Sequence, residues 1–216
     1  MESIFTLLNS AALTGWTFIL AILLSQPSEW TTQFFEPSLS DRILLIDLLI
    51  LLECICFIEV GRIAVGQIKG NFILGAVLHM IRMTCLLLVL PRGLADERDT
   101  VCIMVLYSWA LTEVGRYPMY LVPSSSVARY VRLVLPIVTF PIGAIAEAVG
   151  AFRALSKLWN SDDDDSVSWI KLCFLGMVLF INSLLGPTMA YPALLKKGLP
   201  VLLGKESTGT RSIKSA

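Results

Sequence analysis

The sequence predicts an all-α membrane protein, a polytopic bundle of about six transmembrane helices with both termini in the cytoplasm. Three observations lead there. Of the 216 residues, 56% are hydrophobic and only 16% charged, and the mean hydropathy of +0.75 lies well above that of a soluble domain. Six apolar runs are long enough to cross a hydrocarbon core of about 30 Å, which takes roughly 20 helical residues. The charges between those runs are divided unequally between the two sides of the membrane.

The first run, 5–24, has no basic leader and no small-residue cleavage site ahead of a soluble domain, so it is expected to be a retained span. The second, 43–61, is interrupted by Asp47, Glu53 and Glu59, and the third, 72–90, by His79 and Arg82. The fourth, 101–122, holds Glu113 and Arg116; its Pro118 is expected to bend the helix and free a carbonyl. In the fifth, 133–152, Pro141 and Gly143 loosen the helix so that a ligand or neighbour can come close. The sixth, 169–195, is long enough to tilt or to break at Gly186-Pro187. Residues 1–200 are expected to form one transmembrane domain, followed by a polar, disordered cytoplasmic tail at 201–216.

Orientation follows from the connections. The N-terminus, the loops 62–71 and 123–132 and the tail hold nine bases against two acids. The loops 25–42, 91–100 and 153–168 hold five bases against ten acids. Positive residues stay on the cytoplasmic side during insertion, so the first set is cytoplasmic. The run Asp162 to Asp165 lacks the alternating ligands and turn glycine of a calcium loop and reads as a solvated connector. Cys54, Cys56, Cys85, Cys102 and Cys173 all lie in apolar runs, and their odd number argues against a disulfide framework. His79 has no Cys or carboxylate at ligand spacing, so it reads as a helix-packing histidine; no metal and no cofactor are expected. "CFIEVGR", Cys56 to Arg62, fits the C-x5-R spacing of phosphatase loops but lacks their glycine-rich turn and carries Glu59 where an anion should bind.

Once the loops are set aside, Arg82, Arg116, Lys171, Asp47, Glu53, Glu59, Glu113 and Glu147 remain at membrane depth or its edges. A charge at the bilayer centre costs at least about 2.5–3.5 kcal/mol, so such groups face the bundle interior, pair, or serve a function. In "TEVGRYPMY", residues 112–120, helical spacing puts Glu113, Arg116, Tyr117 and Tyr120 on one face. This face suits a structural network or a polar cavity. Glu147 follows Phe140 by two turns, so both project to one side of the fifth helix, and the acid has no partner in that helix. Standing alone it is suited to exchange protons; paired with Arg116 or Arg82 across the bundle it would stay ionised.

These segments resemble the very-long-chain 3-hydroxyacyl-CoA dehydratase family, also called protein tyrosine phosphatase-like A. "NSAALTGW" (Asn9 to Trp16) is similar to its N-x5-G-W, and "LLECICFIEVGRIAVG" through Arg82 to its L-E…G…R region, with Glu59 and Gly66 in register. "TEVGRYPMY" matches T-E-x-x-R-Y-x-x-Y, and "FPIGAIAE" matches Y-P-x-G-x-x-x-E. The resemblance runs from residue 9 to about 147. It implies a multi-pass protein of the endoplasmic reticulum that dehydrates (3R)-3-hydroxyacyl-CoA to trans-2-enoyl-CoA, alongside other membrane-bound fatty-acid elongation enzymes and with no nucleic-acid partner.

Carried over, the family's catalytic Glu is Glu147 and its catalytic Tyr falls on Phe140, which has no proton to give. Elimination of water needs one group to take the proton alpha to the thioester and one to protonate the departing hydroxyl. Tyr117 and Tyr120 are then candidate catalytic substitutes, or Glu147 shuttles the proton alone. Arg116, Glu113, Arg82 and Phe140 would line the substrate, while Arg129, Arg132 and Lys69 would meet the CoA phosphates. The Phe140 departure also allows a catalytically silent relative that binds acyl-CoA or scaffolds the elongation complex. A small transporter using the buried charges as a relay is a third reading, disfavoured by the lack of an internal repeat.

Overall fold

The computed structural model describes residues 2–25, 39–68, 70–93, 100–160 and 166–204. Among them the chain forms six helical elements and no strand, a helical membrane bundle as the sequence predicts. They are α1 (Glu2–Ser25), α2 (Leu39–Ala64), α3, α4 (Thr100–Leu121), α5 (Ser126–Trp159) and α6. α3 is α-helical over Phe72–Thr84, widens to a π-helical turn over Cys85–Val89 and closes with Leu90–Gly93. α6 does the same on a larger scale: Ser166–Phe180, a π-helical stretch Ile181–Ala190, then Tyr191–Leu202.

Ile4–Ser25, Phe72–Val89, Ser126–Trp159 and Trp169–Leu202 are long and apolar enough to cross a membrane. Six such spans are expected from the sequence, and α2 and α4 are the two that fall short. The cause lies in what they carry inward, since Glu53, Glu59 and Glu113 are all buried. Helix starts are set by caps: Asn71 accepts from the Leu74 N–H ahead of α3, and Ser125 accepts from the Ala128 N–H ahead of α5. Gly66 follows α2 with φ +76°, a left-handed conformation that favours glycine.

Because Ser125 is the cap, α5 starts earlier than expected and takes Arg129 and Arg132 onto its first turns instead of leaving them in a loop. At the far end it runs on through Arg153 and Lys157. Its 34 residues span about 51 Å, well over the roughly 30 Å of a hydrocarbon core. Lys69, Glu29, Glu36, Asp96, Glu97, Asp99, the run Asp162 to Asp165 and the tail from 205 onward lie outside the described residues.

α5 is the most extensively packed helix, lying along α4 on one side and α6 on the other, while α4 also packs on α1 and α2 leans on α3. Trp16 and Ile19 of α1, Leu49 and Leu52 of α2, Leu86 of α3 and Val105, Leu106 and Trp109 of α4 fill the interior. Leu7, Phe18, Leu51, Leu87, Ile145 and Phe152 face outward. Lipid is as apolar as this core, so association must come from close packing and polar contacts. The buried face of α5 is accordingly small, with Gly143, Ala146, Gly150, Ala151 and Ala154. A Cβ on Gly143 would collide with Ser108 of α4. Beside it Ser108 donates to the Thr139 carbonyl at 2.8 Å, and Thr112 donates to the Thr139 hydroxyl at 2.8 Å. The Tyr107 hydroxyl donates to the Leu23 carbonyl and ties α4 to α1.

α5 and α6 run antiparallel, and three contacts define their register. Gly198 abuts the Leu133 carbonyl, Tyr191 stacks on Phe140, and Asn182 bonds Glu147. Between the last two contacts α5 uses seven residues, about two α-helical turns, and α6 uses nine. A π-helix advances less per residue and takes more residues per turn, so nine residues of Ile181–Ala190 keep step with seven of α5. The wider turn also accommodates Pro187, which can donate no backbone bond. The run expected to tilt or break at Gly186-Pro187 is thus carried through as one helix.

Candidate active site

Two buried polar regions adjoin α4 at different levels along its length. The first is built by α2, α3 and α4. Glu53 receives the Arg82 guanidinium at 3.2 Å on one oxygen and faces His79 Nδ1 at 2.7 Å with the other. Arg82 also donates to Glu113 at 2.5 Å. Arg116 continues the chain with ion pairs to Glu113 at 2.8 Å and Glu59 at 2.9 Å. The Arg116–Glu113 contact lies outside hydrogen-bond geometry and leaves Glu113 Oε2 to a purely Coulombic partner. Tyr117 closes the cluster, its hydroxyl 3.3 Å from both Cys56 Sγ and an Arg116 nitrogen. Two guanidinium groups therefore serve three carboxylates, so that each acid of this region meets at least one cation, as low-dielectric surroundings demand.

The face read from "TEVGRYPMY" is real: Glu113 and Arg116 pair one turn apart, and Tyr117 meets Tyr120 edge-on at 6.1 Å. Arg132 packs over the Tyr120 ring at 5.0 Å and touches Met119 Sδ at 3.2 Å. Arg129 is exposed, and Lys69 is not among the described residues. His79 packs between helices as the sequence reading has it, its ring 5.7 Å from that of Phe57, and it also meets the Glu53 carboxylate, a partner the sequence does not show. Its ligand atoms, with those of Glu53 and Cys56, all lie within 4.8 Å of one another, the described group that could hold a cation. Arg82, Arg116 and Tyr117 already take up the partners' bonding capacity there.

The second region lies between α4, α5 and α6 and holds Glu147, 8% exposed. Trp109 Nε1 donates to one carboxylate oxygen at 2.6 Å and Asn182 Nδ2 to the other at 2.8 Å. Among the described residues no Lys, Arg or His pairs with it. Glu147 is placed there by the small face of α5, which brings its backbone close to α4. Asn182 is placed at the first residues of the π stretch of α6. Phe140, two turns back, is half-buried and stacks on Tyr191 with ring centroids 6.3 Å apart and planes at 5°.

The structure does not bring Tyr117 or Tyr120 to this carboxylate. Tyr117 stands eight residues beyond Trp109, about 12 Å along α4, with its hydroxyl engaged on the α2 side. Trp109, Asn182 and Tyr191 were not singled out by sequence. A conventional apolar reading hides the indole N–H of Trp109, and Asn182 alone, a polar amide in an otherwise apolar run, could have been flagged. The two regions meet at Trp109, whose ring faces the Arg82 guanidinium at 5.4 Å while its N–H binds Glu147.

The fold and this interior define a membrane-embedded helical protein that keeps a carboxylate apart from its internal salt-bridge network. Residues 53–197 match the family described as protein tyrosine phosphatase-like protein, PTPLA. The chain belongs to that family, the very-long-chain 3-hydroxyacyl-CoA dehydratases of fatty-acid elongation. The matched stretch includes both polar regions and the Phe140–Tyr191 stack. No curated protein and no solved structure matches the chain.

Proposed function

We propose that this protein dehydrates a (3R)-3-hydroxyacyl-CoA to the trans-2-enoyl-CoA, with Glu147 as the base that removes the proton alpha to the thioester. The observation that carries the reading is that, among the described residues, no cation bonds Glu147 directly, Arg82 acting on it only across the Trp109 ring. Glu53, Glu59 and Glu113 each meet an arginine, whereas Glu147 accepts only neutral N–H donors. Two such donors orient the carboxylate without neutralising it, which leaves it free to take a proton. The acyl chain would lie between helices, in surroundings as apolar as lipid.

The charge asymmetry of the connections supports cytoplasmic termini, and the family supports the endoplasmic reticulum membrane as the location. In that orientation the exposed Arg129, with Arg132 one turn on, stands at the cytoplasmic end of α5, where CoA phosphates would approach. Other elongation enzymes would supply the substrate and take the product.

Phe140 favours a second reading, a silent relative that holds acyl-CoA without converting it. One assay separates the two. Purified protein in detergent is given a 3-hydroxyacyl-CoA, and enoyl-CoA is followed by chromatography with binding measured in parallel. Turnover that Glu147→Gln abolishes supports the dehydratase; binding without turnover selects the silent relative.

A further inference from the structure

We propose that Tyr191 is the acid that protonates the departing hydroxyl, an assignment that rests on the dehydratase reading above. Carbon–oxygen cleavage at C3 needs a proton on the oxygen, because hydroxide is a poor leaving group. Glu147 is set to accept a proton and Phe140 has none to offer. A second donor on the same seam of the bundle would spare Glu147 from serving as both base and acid.

The chain has five tyrosines, and four are placed elsewhere. Tyr107 is committed to the Leu23 carbonyl, and Tyr117 to Cys56 and Arg116. Tyr120 is packed between Tyr117 and the Arg132 guanidinium, and Tyr130 is exposed. Tyr191 lies on the α5–α6 seam that also holds Glu147. Its ring lies parallel to that of Phe140 and offset from it, with centroids 6.3 Å apart, a contact that orients the phenol. The hydroxyl has no hydrogen-bond partner among the described residues, so it is available to a bound substrate. The antiparallel register puts Phe140 against Tyr191 and Glu147 against Asn182, so base and phenol stand two turns apart on one side of α5. Helical side chains lean toward their own helix's N-terminus, so in this antiparallel pair Glu147 and Tyr191 lean toward each other.

The proton balance closes. The Glu147 carboxylate takes the C2 proton as the C2–C3 double bond forms. The C3–O bond breaks toward oxygen, and the Tyr191 O–H delivers its proton to make water. Glu147 then returns its proton to the Tyr191 phenolate, through water, and the starting state is restored.

The test compares purified wild type, Tyr191→Phe, Phe140→Tyr, the double variant Phe140→Tyr/Tyr191→Phe, and Glu147→Gln on one 3-hydroxyacyl-CoA. All must first be monodisperse with an unchanged melting temperature; Phe keeps the stack, so Tyr191→Phe meets this condition. Tyr191→Phe is expected to lower kcat by about 10²–10⁴-fold with KM changed only a few-fold. The double variant, with the phenol moved to the facing ring, is expected to recover at least about a tenth of wild-type kcat, a deficit of no more than about 1.4 kcal/mol. If Tyr191→Phe keeps wild-type kcat while Glu147→Gln is dead, the Tyr191 assignment is overturned and the dehydratase reading stands. A loss that Phe140→Tyr does not repair marks a packing role and also overturns it. Absence of turnover in wild type removes the dehydratase reading and this assignment with it.

Discussion

The two buried polar regions solve opposite problems with the same residue types. Between α2, α3 and α4, three glutamates are held by two arginines, and every charge is answered within about one hydrogen-bond length. Between α4, α5 and α6, one glutamate is held by an indole and an amide that bring direction and no charge. The first arrangement locks three helices together at the cost of desolvating five ions. The second keeps a carboxylate in place without satisfying it electrostatically. On the proposed reading, what separates the acid assigned to chemistry from the others is the identity of the partner, since burial is nearly the same: Glu53 is 0%, Glu113 1% and Glu147 8% exposed.

That contrast can be broken from either side. Glu147→Gln should abolish dehydration, with kcat down by about 10²–10⁴-fold and thermal stability in detergent nearly unchanged, because the amide keeps the shape and Asn182 can turn its carbonyl to meet the new N–H. Glu113→Ala should do the reverse. It removes the acid that Arg82 and Arg116 share and leaves a cavity, while Glu53 and Glu59 still meet them, and should cost about 2–5 kcal/mol in stability, read from unfolding midpoints. Trp109→Phe removes one N–H donor from Glu147, a bond worth about 1.5–3 kcal/mol when one partner is charged. Because Trp109 joins the regions, this variant should lower both kcat and stability, each by less than the two changes above. Arg129→Ala, at an exposed position, should leave stability within about 0.5 kcal/mol. Its expected effect is a modest rise in KM that disappears at high salt, measured by repeating the kinetics across ionic strength.

What sequence could show depended on whether a contact is written in one helix or across several. Glu113, Arg116, Tyr117 and Tyr120 recur at helical spacing, so their shared face was readable, and so was the helical class from apolar length. The partner of that face was not, because Glu53, His79 and Arg82 come from two other helices with no fixed offset from it. For the same reason His79 looked unpartnered. Glu147 could be picked out as an acid in an apolar run, yet Trp109 and Asn182 are 38 and 35 residues away from it along the chain. The loop placement of Arg129 and Arg132 failed on boundary chemistry, since hydropathy marks where lipid ends and a Ser125 cap marks where the helix begins. The π stretch of α6 left only the Gly186-Pro187 pair as a sign, and that pair reads equally as a kink. Tyr191 sits past residue 147, where the motifs read from the sequence stop, although the family match runs on to residue 197.

The salt-bridge cluster also constrains how the protein can be made. A growing chain that has delivered only α2 to the membrane presents Glu53 and Glu59 with no guanidinium to meet them. Arg82 arrives with α3 and Arg116 only with α4. Each of these segments is a poor candidate for release into lipid by itself, at about 2.5–3.5 kcal/mol for every unmet charge at depth. Biogenesis should therefore hold back the second to fourth helices at the insertion machinery and hand them over as a set, so that truncations ending between residues 65 and 100 are retained and degraded while one ending after 121 partitions into the bilayer.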